Sequence, residues 1–148
     1  MAKYITPTLT ITSNKYDAAV NPGPVSSPIN ISVTDLLDVT EVVSKIIDVS
    51  TSNALVFDAS VYTSGITIGT EGAFVFLRNL SSAVDIYIGH GSDGALEGAT
   101  ATRLMTMKPG EFAFLPYDLE GDLIHDASSD EGGVGALEAI LFVRTGTA

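Results

Sequence analysis

Residues 73–89 of this 148-residue chain read AFVFLRNLSSAVDIYIG. Two short apolar runs are separated by a pair of serines, Ser81 and Ser82. In the first run Phe74 and Phe76 occupy alternate positions, and alternate residues of a β-strand lie on the same face of its sheet. The stretch therefore predicts two β-strands joined by a turn, with both phenylalanines directed at a core.

The same kind of run recurs along the chain, where short segments rich in β-branched and aromatic residues end at glycine, aspartate or serine. This pattern is typical of a small all-β domain. Phe112 and Phe114 repeat the alternate spacing, and we expect them to face the same core. Strands are predicted at residues 43–49, 54–57, 65–68, 73–80, 84–88, 103–107, 111–115, 123–125 and 136–144. This number of short strands favours an all-β, jelly-roll-like two-sheet antiparallel sandwich over a parallel α/β fold.

The sequence pattern is less direct in two segments, residues 36–47 and residues 108–110. The spacing of apolar residues between Leu36 and Ile47 also fits a helix, but seven of the residues from 39 to 49 are β-branched, which favours a strand. Lys108-Pro109-Gly110 has proline where a preset φ helps and glycine where a type II turn requires positive φ. We expect this turn to join two antiparallel strands.

Composition divides the chain into an N-terminal arm, residues 1–34, and a body, residues 35–148. The arm contains four of the six prolines and only three charged residues. It has too few large apolar groups for a core of its own, so the cost of ordering it must be met by packing onto the body or a neighbouring molecule. We therefore predict an extended arm that docks in an assembly.

The net charge of the chain limits the kinds of molecule that it can bind. The chain carries a formal net charge of −11, which repels phosphate and anionic lipid, so we expect no direct binding to nucleic acid or membranes. The arm has a formal charge of +1, from Lys3 and Lys15 against Asp17, and can approach acidic surfaces that the body cannot.

There is no cysteine, and the first residues lack the apolar run of a signal peptide. We expect a soluble product made in the cytosol.

Three segments invite a functional hypothesis. Residues 89–94 match the G-x-G-x-x-G string, but no amphipathic helix follows to receive a phosphate, so a turn is favoured. Ser92 near His90 lacks the glycine that a nucleophile elbow needs at position 90. The acidic residues between 117 and 131 resemble the start of a calcium loop, but the glycine and the final ligand are misplaced, which favours a solvated loop. His125 is interpreted as a sheet-edge residue. We predict no catalytic residue, no cofactor and no metal site.

The stretch from Lys108 to Pro116 resembles the turn and strand of cupin-type barrels. That resemblance implies a related fold. Cupin metal chemistry depends on paired histidines one residue apart, and the two histidines here are 35 residues apart, so the activity is not expected.

A second resemblance concerns the arm followed by the segments 74–89, 107–111 and 137–142. Together these are similar to small β-sandwich virion proteins of tailed bacteriophages, which include capsid decoration (cement) proteins and head or tail accessory proteins. The resemblance implies a non-enzymatic structural protein of the virion, made in the host cytoplasm. Its implied partners are the major capsid protein or other virion proteins, with further copies of itself, often as trimers.

Within that role the arm is expected to be the adhesive. Residues 8–12 alternate as a strand should and could pair with an exposed sheet edge of a partner. The predicted partner-binding residues are the large apolar residues of the arm: Tyr4, Ile5, Leu9, Ile11 and Tyr16. The alternative is a receptor- or carbohydrate-binding module on a phage tail or fibre, and an enzyme of cupin or hydrolase type is the third possibility.

Overall fold

A computed structural model of the chain describes residues 3–12, 30–34, 36–52, 54–58, 72–90, 103–117, 123–127 and 133–144. The chain divides into two compact units, Met1–Asp38 and Val39–Ala148. Every regular element of the described residues is a β-strand, which confirms the predicted all-β class. The strands are β1 (Lys3–Ile5), β2 (Thr8–Thr12), β3 (Asn30–Thr34), β4 (Leu37–Val49), β5 (Ala54–Phe57), β6 (Ala73–Asn79), β7 (Ile86–His90), β8 (Arg103–Met107), β9 (Phe112–Tyr117), β10 (Leu123–Ala127) and β11 (Gly135–Arg144).

The first unit contains an antiparallel ribbon of two strands, β2 and β3. Thr8 lies opposite Thr34, and Thr12 lies opposite Asn30. The strand predicted at residues 8–12 is therefore present, and its partner is another segment of the same chain.

The second unit is a two-sheet antiparallel sandwich. One sheet contains β4, β11, β6 and β9 in this order, and the other has the order β5, β10, β7, β8. The pairings are nested, because β4 pairs with β11, β5 with β10, β6 with β9 and β7 with β8. A ribbon of nested pairs that rolls up into two four-stranded sheets is a jelly roll, so the predicted jelly-roll-like sandwich is confirmed.

The core lies between the two sheets. Residues from alternate positions of strands in both sheets form one buried cluster, as expected for the inner faces of a sandwich. Its largest fully buried apolar side chains are Phe57, Leu77, Ile86, Ile88, Leu123, Leu137 and Leu141.

The ambiguous segment near residue 40 is a strand. β4 runs for 13 residues from Leu37 to Val49, and ten residues of β11 pair with it. The strand predicted from the β-branched composition is therefore confirmed, and the helix that the spacing of the apolar residues also allowed does not form. Of the other predicted strands, those at 54–57 and 103–107 have the predicted bounds, and the one at 65–68 lies outside the described residues.

The turn after β8 forms as predicted, but the expected hairpin is wrong. The Glu111 amide donates to the carbonyl of Lys108 at 3.0 Å, and Gly110 has φ of +79°. β8 and β9, however, pair with β7 and β6 and belong to different sheets. The turn carries the chain across the sandwich, because local turn chemistry sets the reversal and not the hydrogen-bonding partner of the next strand.

Gly110 provides a first test of this turn. Nothing lies within 4 Å of a Cβ added at this position, so the cost of a side chain comes from the positive φ alone. We expect Gly110→Ala to lower the free energy of unfolding by about 1 kcal/mol in urea denaturation. Gly110→Asn should cost clearly less, because asparagine tolerates the left-handed region. Equal losses for both substitutions would contradict this explanation.

One buried polar residue holds the end of the sandwich where β6, β7 and β8 meet. The Asn79 side chain is fully buried, and its amide nitrogen donates to the carbonyls of Val84 at 2.8 Å and Met107 at 2.9 Å. Its side-chain oxygen accepts from the amide and the hydroxyl of Ser81. Its backbone also bonds to the turn after β8, through Gly110 and Glu111. Asn79 therefore joins the β6–β7 connection to the β8–β9 turn.

Candidate interaction surfaces

The β2–β3 ribbon has one polar and one apolar face. Opposite residues of an antiparallel pair lie on the same face, so Leu9 shares a face with Val33. Leu9 is 50% exposed and Val33 is 56% exposed. The described side chains of the other face all carry hydroxyl groups: Thr8, Thr10, Ser32 and Thr34. The ribbon therefore presents an apolar strip to solvent, and neither strand contains a charged residue.

The predicted partner-binding residues are placed as follows. Tyr4 lies in β1 and is 60% exposed, and its neighbour Ile5 is partly buried. Leu9 and Ile11 lie in β2, and Leu9 is on the apolar face of the ribbon. The side-chain environment of Ile11 and the whole of Tyr16 lie outside what the structure describes.

The phenylalanines predicted to fill the core do not lie there. Phe74 and Phe76 are on the outer face of β6, while the alternate residues Ala73, Val75 and Leu77 are buried inside. Phe112 and Phe114 are on the outer face of β9 and are exposed. The prediction was wrong because β6 is apolar at both sets of alternate positions, and alternation alone does not say which set is buried.

These rings form a continuous cluster on the outside of the sheet. Phe74 stacks on Phe114 with 5.3 Å between ring centroids, and Phe76 stacks on Phe112 at 6.3 Å. Phe142 from β11 meets Phe114 edge to face at 6.1 Å. Aliphatic residues extend the cluster across the sheet to β4. We call this surface the aromatic face, made of Phe74, Phe76, Phe112, Phe114, Phe142, Ile140, Val42 and Ile46.

The aromatic face has few charges, and they balance. Arg144 stacks on the Phe74 ring at 5.3 Å, at the end of the face where β11 finishes. Toward the other end, the register places Glu138 opposite Arg78 on β6, and Asp48 on β4 lies opposite Ala136, two residues before Glu138. Two cations and two anions thus border an apolar centre, on a chain whose overall net charge is −11. The aromatic face is therefore apolar at its centre, and the charges named at its borders sum to zero.

A second feature missed by sequence reasoning is an interior histidine. β10 lies between β5 and β7, so the sheet-edge interpretation of His125 is wrong, and the side chain is only 1% exposed. Neither ring nitrogen has a hydrogen-bond partner within the described residues. Burial, and then the positive charge of Lys45, lowers the pKa of His125 to about 4. Burial also lowers the pKa of Lys45, whose ammonium lies 4.8 Å from the centroid of the Phe57 ring.

The other sequence candidates do not form a site in the part of the chain that is described. His90 is exposed and contacts the Tyr117 ring edge to face at 6.2 Å, while Ser92 and residues 91–94 lie outside the described residues. Most of the acidic segment 117–131 also lies outside them. Within the described ranges, no group of three histidine or acidic side chains is arranged to hold a metal ion. The same ranges contain no helix long and apolar enough to cross a membrane.

Comparison of the chain with family models, with curated proteins and with solved structures gives no match. The fold and the two apolar surfaces are therefore the observations on which a function can be proposed.

Proposed function

We propose that this protein is a non-enzymatic structural protein of a virion, a capsid decoration (cement) protein that attaches to a phage head through its N-terminal segment. The supporting observation is the apolar face of the β2–β3 ribbon. Leu9 and Val33 lie side by side on this face, and each exposes about half of its side chain.

An isolated two-stranded ribbon is marginally stable in water, and an exposed apolar strip adds a further cost. Covering the strip with a partner removes both disadvantages. The ribbon is also uncharged, so it can lie against a protein surface that would repel the acidic body. These properties suit a segment that gains its stability on an assembly, as the resemblance to decoration proteins implies.

The proposed partners are the major capsid protein or other virion proteins, together with further copies of this chain. The jelly-roll body then serves as a rigid cap on the outside of the head. Its fold is compatible with this role without implying it, because jelly rolls also occur in lectins and cupins.

The test is co-sedimentation of the full-length protein with expanded, undecorated heads. Leu9→Asp places a charge on the apolar face of the ribbon, and we expect it to weaken binding at least about tenfold, since the charge would be buried without a partner. Ser32→Asp is the matched control, because it adds the same charge on the polar face and should leave binding nearly unchanged.

Full occupancy by the Leu9→Asp variant would contradict the proposal that the ribbon is the adhesive. Failure of the unsubstituted protein to bind heads would contradict the decoration role itself and favour the alternative, a receptor- or carbohydrate-binding module of a tail or fibre.

A further inference from the structure

We infer that a groove along one edge of the jelly roll, between β8 and β9, binds a small organic cation with an apolar body, of the arylalkylammonium class. The groove lies wholly in the second unit, and the proposed virion role neither requires such a ligand nor conflicts with it. Three properties of the groove point to this ligand: its apolar walls, its size and the position of one carboxylate.

The groove lies where the two sheets of the sandwich end on the same side. Among the described strands, β9 ends one sheet and β8 ends the other, and the turn after β8 joins them. The groove is lined by residues 105–107 of β8 and by residues 109–113 of the turn and β9. It therefore follows the edge of the sandwich at which the chain crosses from one sheet to the other.

The walls of the groove are mainly apolar. Met107 is only 2% exposed, and Met105 and Ala113 are partly buried against the same core. Pro109 and Phe112 add further apolar surface from the turn and from the start of β9. Methionine is flexible and polarisable, so it adapts to ligands of different shape and makes favourable contacts with aromatic rings. These walls suit the apolar body of a ligand, and an aromatic ring in particular.

The size of the groove fits a small molecule. Its volume is about 650 Å³. Binding sites for small molecules ordinarily have volumes of about 300–1,000 Å³ and combine apolar walls with a few polar groups. A ligand built on one aromatic ring therefore has enough space.

One carboxylate gives the groove its charge. Glu111 is the single charged residue among the described residues that line it. Its Oε2 atom accepts a hydrogen bond from the backbone amide of Lys108 at 2.8 Å, which holds the carboxylate at the turn, and its Oε1 atom has no partner among the described residues. The ammonium of Lys108 is paired with Asp85 at 2.8 Å and does not neutralise Glu111. The groove thus offers a free carboxylate oxygen beside apolar walls, which favours a cationic ligand.

The chemistry of the lining also decides which kind of cation fits. A metal ion such as Ca²⁺ needs several oxygen ligands, and within the described ranges no group of three acidic or histidine side chains is arranged to hold one. An organic ammonium ion needs a single carboxylate and gains from contacts with apolar and aromatic side chains. The net charge of −11 attracts cations to the protein and repels anions. An organic cation is therefore the ligand that matches the walls and the charge together.

The experiment is a titration of the full-length protein with benzyltrimethylammonium chloride, followed by nuclear magnetic resonance of ¹³C-labelled methionine methyl groups. The chain has three methionines, of which Met105 and Met107 line the groove and Met1 does not. We expect the signals of Met105 and Met107 to shift with saturation, with a dissociation constant in the millimolar range, while the signal of Met1 stays in place. Phenylacetate, an anion of similar size, should produce no saturable shift. Added sodium chloride should weaken the binding of the cation, because salt screens its attraction to the carboxylate.

Glu111→Gln tests the role of the carboxylate. Its amide oxygen still accepts from the Lys108 amide, so the turn is retained while the charge is lost, and we expect the dissociation constant to rise about fivefold. Glu138→Gln is the matched control, because it removes the same charge from β11, outside the groove, and should leave the affinity unchanged. The absence of a saturable shift at Met105 and Met107 would overturn the inference. So would equal binding of phenylacetate, or an affinity that Glu111→Gln leaves unchanged.

Discussion

Replacing Asn79 with leucine is expected to lower the free energy of unfolding by about 3 kcal/mol. The Asn79 side chain is fully buried and makes four hydrogen bonds, two as donor and two as acceptor. Leucine has the same branching as asparagine and is larger, so the substitution leaves no cavity and the loss arises from the hydrogen bonds, with any overpacking adding to it. The carbonyl of Met107 would lose a buried donor, and the amide of Ser81 would lose its acceptor.

Urea denaturation followed by circular dichroism measures this effect as a shift of the midpoint at constant slope. Asn79→Asp should be at least as damaging, because a carboxylate cannot donate to the carbonyls of Val84 and Met107. Ser82→Ala is the control, since Ser82 lies in the same connection but is exposed, and we expect its effect to stay within about 0.5 kcal/mol. A loss below about 1 kcal/mol for Asn79→Leu would show that the hydrogen bonds of Asn79 contribute little to the stability of the protein.

The strands of the sandwich were largely predictable from the sequence, since strand formation depends on local composition. The β-branched residues of β4 identified a strand despite a competing helical period, because a branched side chain has less rotamer freedom in a helix. The pairing of the strands was not predictable in the same way. β4 and β11 are separated by most of the chain, and no local pattern records that they are neighbours.

The aromatic face is the clearest feature that could not be predicted from the sequence. Residues 73–77 are apolar at every position, which is typical of strands covered on both faces. The prediction considered only the larger side chains and therefore placed Phe74 and Phe76 in the core between the sheets. In the structure the smaller residues Ala73, Val75 and Leu77 fill the space between the sheets, and the rings remain outside. The sequence showed that both faces of β6 are apolar, but not which of the two faces lies between the sheets.

The hydrogen bonds of Asn79 and the burial of His125 could not be predicted from local sequence patterns either. Asparagine after an apolar strand is ordinarily read as the beginning of a turn, and it is so here, but its burial depends on β8 arriving from 28 residues away. His125 follows Leu123 and Ile124 in a short run that could belong to an edge or a central strand. Its burial follows from the position of β10 between β5 and β7, which only the long-range pairing establishes.

The burial of His125 makes the stability of the protein depend on pH between about 6.5 and about 4. The pKa of His125 is about 4 in the folded protein, against an ordinary value of 6.5, because burial and the Lys45 cation disfavour the charged ring. Between these two values the unfolded chain binds a proton that the folded chain does not, so stability falls as the pH is lowered from about 6.5 to about 4. The loss attributable to this residue is about 3 kcal/mol, and it is complete below the folded pKa.

Other groups titrate in the same range, including the 18 acidic residues, so the prediction concerns a difference between variants. His125→Leu removes the ionisable ring, and we expect it to be at least as stable as the unsubstituted protein at pH 7, since neither buried nitrogen has a partner among the described residues. As the pH falls toward 4, the advantage of the variant should grow by about 3 kcal/mol in urea denaturation. If the variant and the unsubstituted protein lost stability in parallel, the charge of His125 would not be opposed by the interior, and the ring would have to reach water or a counter-charge when protonated.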